Sequence, residues 1–141
     1  MPDRILMRWV GVIAVLNAFH TVDHVLRGDF HWPIDGPTVV FVTIITTIYG
    51  VLGVGAALYR RERVGPLFWI VIGLLGLGFG WLSHFSPVTE QPVRVIFSAY
   101  QSAVAGTLAV ACLIALMLAV LAATVRAASL WRRLRRGPAA D

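Results

Sequence analysis

The sequence predicts an all-α integral membrane protein, a four-transmembrane-helix bundle with its N- and C-termini in the cytoplasm. Three observations lead there. The 141 residues are 58% hydrophobic and 13% charged, with a mean hydropathy of +0.79, outside the composition of water-soluble domains. Four apolar runs, about 5–25, 39–58, 64–85 and 95–125, each supply the roughly 20 residues a helix needs to cross a bilayer. The basic residues fall almost wholly on one side of the resulting four-pass topology. The connections are too short to fold alone, so residues 1–141 form a single transmembrane domain.

The first run is read as a retained helix. It contains Asn17, His20, Asp23 and His24, and no small-residue cleavage site follows it, unlike a secretory signal. Residues 28–37 are dense in Gly and Pro and form an outer loop that folds as a compact cap. The second run carries Gly50 and Gly53, with Thr43, Thr46 and Thr47, whose hydroxyls bond backbone carbonyls within the helix. The third carries Gly73, Gly76 and Gly80. A second Pro-punctuated outer loop follows at 86–94. Of the seven prolines only Pro66 lies inside a run, two residues from its start, which predicts largely unkinked helices.

The fourth run, with Ala99, Ala103, Gly106 and Ala109 at helical spacing, would be about 46 Å long as one helix, against a bilayer core of about 30 Å. It must tilt or run beyond the membrane, and Arg126 argues for extension as a basic amphipathic end through Leu134, within a basic tail 126–141. Small-residue faces on the last three runs let helices approach closely in lipid, in a tight bundle and in a homo-oligomer or larger membrane complex. Trp9, Trp69 and Trp131 toward the inner interface, and Trp32 and Trp81 toward the outer one, read as belt and packing aromatics.

The net charge is +5, and all twelve basic residues are arginine. Arg4, Arg8, Arg60, Arg61, Arg63, Arg126, Arg132, Arg133, Arg135 and Arg136 lie on one side, leaving Arg27 and Arg94 on the other. The positive-inside rule makes the first side cytoplasmic. The tail has no aromatic platform for nucleic acid, and its partner is the bilayer itself, through anionic inner-leaflet lipids. Absence of Lys alongside abundant Ala, Gly and Val is compatible with a high-GC genome and a bacterial inner (plasma) membrane. The lone Cys112 excludes intrachain disulfides and multi-cysteine metal sites.

Chemistry concentrates in one segment. Asn17, His20, His24 and Arg27 recur every three or four residues and so share one helical face, with Asp23 beside it. Ionisable residues at membrane depth are costly and mark functional sites. Because the first and third runs both lead outward, His84 reaches the depth of His24, and His31 lies on the same side. An i, i+4 histidine pair presents two imidazoles to one metal ion, and a third ligand must come from elsewhere. These residues read either as a structural polar network in which Asn17, His20, Asp23 and His84 hydrogen-bond one another, or as metal ligands, His20, Asp23, His24 and His84, with His31 able to close the site from its loop. Asp23 serves either as a ligand or as the acceptor that fixes a ligand tautomer. Nitrogen and oxygen donors suit zinc, iron, copper or manganese.

Ser98, Tyr100, Gln101 and Ser102 stand at the outer end of the fourth run, as helix caps or as groups orienting water or substrate. Three functions compete. The first is a metalloprotein, with an enzymatic version acting on a lipid-soluble substrate and Asp23 or Glu90 as proton acceptor. The second is an electron-transfer or accessory subunit holding haem b between His20 or His24 and His84. The third is a metal-free, pH-responsive interaction or transport protein.

Overall fold

The structure is a computed structural model that describes residues 2–89 and 91–136. These form five helices and no strand: α1 (Arg4–Leu26), α2 (Gly36–Arg60), α3 (Pro66–His84), α4 (Val93–Ser98) and α5 (Ala103–Arg136). All but α4 are long and apolar enough to cross a membrane.

Local chemistry sets the helix ends. Asp3 caps α1, its side chain accepting from the Leu6 amide at 2.7 Å, and Asp35 caps α2 by accepting from the Thr38 amide at 2.8 Å. Pro37 and Pro66 occupy first turns, where a missing amide hydrogen removes no helical bond. α1 stops at Gly28, whose φ of 94° suits a residue without a Cβ. The Gly28 amide donates to the Val25 carbonyl at 3.1 Å and the Asp29 amide to the His24 carbonyl at 3.0 Å, the paired bonds of a Schellman ending.

The fourth apolar run departs from expectation. It is not one helix from residue 95, because the chain breaks between α4 and α5 and turns back on itself. Ser98 donates its hydroxyl to the Val95 carbonyl at 3.3 Å, and Ser102 accepts from the Ala105 amide at 3.4 Å, so each serine satisfies backbone at an interrupted end. Gly106 permits the fold-back: a Cβ there would lie 2.6 Å from the Phe97 carbonyl oxygen. Beyond the break, α5 runs about 51 Å and carries the expected basic extension as far as Arg136.

α5 is the central post, with α1 and α3 lying along it, α4 against it and α2 resting on α1. Its Leu116, Ala119, Ala123 and Ala127 join Leu6, Val10 and Ile13 of α1, Leu52 and Tyr59 of α2, and Trp69 of α3 in one core. Small residues make the close contacts: Gly73 faces Thr124, and Gly80 faces Met117, leaving no space for a Cβ at either. Gly50 and Gly53 make no close contact within the chain, since a Cβ at either meets nothing within 4 Å. α2 instead turns Leu52, Gly55 and Tyr59 inward. Trp69 is a packing aromatic, 4% exposed and set edge-on against Tyr59 and Phe68.

Candidate metal centre

The C-terminal ends of α1 and α3 meet at three imidazoles. The Nε2 atoms of His20 and His84 are 3.3 Å apart, and those of His24 and His20 are 3.2 Å apart. Ring centroids lie 4.6 to 5.7 Å from one another, and one nitrogen from each ring falls within 4.8 Å of the other two. Helix geometry accounts for the first pair, since residues four apart stack on one face. The third imidazole arrives because α1 and α3 both use α5 as their support.

Two of the rings, those of His24 and His84, are oriented from behind through Nδ1. His24 Nδ1 lies 2.5 Å from Asp29 Oδ2, a contact that needs a proton between the two atoms, so Nδ1–H donates. His84 Nδ1 stands 3.3 Å from the Gln91 carbonyl oxygen, which can only accept. In the neutral form a proton on Nδ1 leaves the Nε2 lone pair free. Two lone pairs therefore point at His20 Nε2. His20 can donate one proton from Nε2 to one of them, or keep its proton on Nδ1, which stands 3.8 Å from Asp23 Oδ2. His20 Nδ1 makes no hydrogen bond in either arrangement and is fully buried. With its proton on Nδ1, three lone pairs converge, the donor pattern of a cation site.

The surrounding charges fit that reading. Arg27 donates from Nε to Asp23 Oδ2 at 3.0 Å, its Nη2 lies 3.0 Å from the same oxygen, and its Nη1 donates to the Gln91 side-chain oxygen. Its Nη2 also passes 3.2 Å from His24 Nδ1, whose proton is already directed to Asp29. Tyr100 donates to Asp23 Oδ1 at 2.6 Å. Both Asp23 oxygens are thus engaged, and Asp23 stands beside the three nitrogens rather than among them. Gln91 donates from Nε2 to Asp29 Oδ1 at 3.1 Å. Asp23 and Asp29 against Arg27 leave one net negative formal charge beside the three imidazoles. Burial alone would raise the Asp29 pKa, but hydrogen bonds from His24 and Gln91 and the charge of Arg27 outweigh it and hold the carboxyl below its ordinary 3.8.

The loops deliver these acceptors by identifiable means. The Schellman ending of α1 turns Asp29 back onto His24. After α3, Thr89 donates to the Ser83 carbonyl at 2.5 Å and accepts from the Gln91 amide at 3.1 Å, which presents the Gln91 carbonyl to His84. His31 does not reach the cluster. It is exposed, with its Nδ1 3.3 Å from Thr38 Oγ1 and 3.7 Å from Asp35 Oδ2, because the cap of α2 holds that part of the loop. Glu90, a sequence candidate for proton transfer, lies outside the described residues.

Asp29 and Gln91 are the residues that sequence reasoning did not single out. Gly28, just after a helix carrying His20 and His24, was the available signal for Asp29. Nothing in the sequence marks Gln91, whose backbone oxygen does the work. Comparison of the chain with protein-family models, curated proteins and solved structures finds no match in any of the three.

Proposed function

We propose that this chain is an integral membrane metalloprotein in which His20, His24 and His84 hold one divalent transition-metal ion near the outer face. The observation that carries the reading is the convergence of three Nε2 atoms, with oxygen backing Nδ1 in two of the rings, His24 and His84. Two nitrogens bound at about 2.0–2.1 Å to a tetrahedral ion lie about 3.3–3.4 Å apart, and the two contacts that His20 makes measure 3.2 and 3.3 Å. Zinc, iron, copper and manganese all accept such donors. The outer placement is supported by the arginine distribution.

Three protein ligands favour a working site over a structural one, because a bound ion would retain a position at which it could act as a Lewis acid. This chain's own contribution is orientation: Asp29 and the Gln91 carbonyl fix two tautomers, and Asp23, held by Arg27 and Tyr100, faces the third ring. A lipid-soluble substrate suits a centre set at the ends of apolar helices. The same ring packing disfavours haem, since axial imidazoles belong on opposite faces of a macrocycle, whereas His20 and His84 touch through their Nε2 atoms.

Elemental analysis of detergent-purified protein, loaded with each candidate metal and desalted, tests the proposal. Close to one ion per chain is expected for wild type and for His31→Ala, with loss in the His24→Ala, His84→Ala double variant. Equal metal content in wild type and the double variant, or none in wild type, overturns it.

A further inference from the structure

Among the described residues, three buried side-chain atoms lack a hydrogen-bond partner: Asn17 Nδ2, His20 Nδ1 and Trp69 Nε1. The second belongs to the histidine cluster. The other two belong to side chains that line one cavity of about 280 Å³ between α1, α2, α3 and α5. A buried donor left unpaired is costly, and two on side chains bordering the same space call for a common explanation.

The shape and chemistry of the space are restrictive. Its α3 wall extends from Trp69 to Phe79, ten residues and about 15 Å of helix, so the small volume is drawn out into a slot. Asn17 stands one turn from His20, toward one end, and Trp69 toward the other. Apart from these two and Thr47 the lining is aliphatic, aromatic or glycine, and none of it is ionisable. Thr47 already donates to the Thr43 carbonyl at 2.8 Å. Both unpaired atoms are donors, so each lacks an acceptor oxygen.

We propose that this slot binds an uncharged, lipid-soluble chain molecule that carries carbonyl oxygens toward its two ends, one accepting from Asn17 and the other from Trp69. Hydrocarbon between them fills the aliphatic stretch. Entry is sideways from the bilayer between α2 and α3, which belong to different packing pairs: α2 leans on α1, and α3 on α5. A carboxylate is excluded because no cation lines the wall. The site stands independently of metal binding at the histidines.

The test measures equilibrium binding of tritiated dimethyl dodecanedioate to the detergent-purified full chain. Saturable binding is expected, displaced by the unlabelled diester, more weakly by methyl dodecanoate, weakest by dodecane, and not by ionised dodecanedioate at pH 8. Asn17→Leu and Trp69→Phe should each weaken diester binding about three- to tenfold, the worth of one neutral hydrogen bond, with metal content unchanged. Ile48→Phe, which fills the slot without touching either donor, should abolish binding. Non-saturable uptake, equal displacement by dodecane, or indifference to both donor substitutions overturns the proposal. Loss of metal alone, with diester binding intact, leaves the slot standing.

Discussion

Asp29 Oδ2 lies 2.5 Å from Nδ1 of His24, and that contact decides which nitrogen of His24 is free to bind. Asp29→Asn replaces the carboxylate by an amide that need not hold the Nδ1 proton. The expected result is a metal affinity about 10–100-fold lower, read by competition against a chelator of known affinity. His31→Ala, assayed in parallel, should show no change.

The same carboxyl makes stability depend on acid. Its folded-state pKa lies below the unfolded value of 3.8, so its contribution is complete above 3.8 and is lost as pH falls through the lower, folded-state value. Thermal unfolding in detergent between pH 6 and pH 2 should show a steepening loss of Tm below about pH 4. Asp29→Asn should flatten part of that slope. Asp35, held low by its bonds from Thr38, contributes in the same direction and remains in the variant.

Gly73 and Gly76 are one turn apart on α3 but differ in what stands opposite. A Cβ at Gly73 would collide with the Thr124 hydroxyl, whereas one at Gly76 meets Val120 at an ordinary 3.7 Å. Gly73→Ala should therefore destabilise by about 1–3 kcal/mol and Gly76→Ala should be tolerated, by denaturant titration in mixed micelles. Thr124→Ala combined with Gly73→Ala should recover part of the loss, because the colliding oxygen is gone.

Asp3 performs two tasks. It caps α1 through Leu6 and receives Arg126 of α5, with contacts of 3.1 Å from Nε and 2.6 Å from Nη2. Asp3→Ala removes both, for a loss of about 1–2 kcal/mol. Asp3→Asn keeps the capping oxygen and should lose less than half as much, mostly at low salt.

Much of this arrangement was legible because helices impose periodicity. The four long helices follow from apolar run length alone, and the His20–His24 pair follows from a four-residue repeat. His84 was placed by counting passes, since two helices leading the same way bring their ends to one level. The misses share a cause, which is that loops are specified by hydrogen bonds rather than by pattern. The interruption at residues 99–102 sits within an unbroken apolar-leaning run and depends on Ser98, Ser102 and the space at Gly106. His31 has the right residue type at the right end, yet Thr38 and Asp35 hold it elsewhere. The acceptor behind His84 is a backbone carbonyl, which every residue possesses and no sequence can flag.

The histidines also join two helices that otherwise depend on a shared neighbour. α1 and α3 each lie along α5, and His20 and His84 link them directly at 3.3 Å. An ion held there would act as a cross-link whose strength is set by solution composition: binding to the folded chain alone adds about 2.7 kcal/mol when free ion is a hundredfold above Kd. The melting temperature of the bundle then becomes a gauge of free metal concentration, and chelation loosens one end of the molecule while the core around Trp69 stays packed.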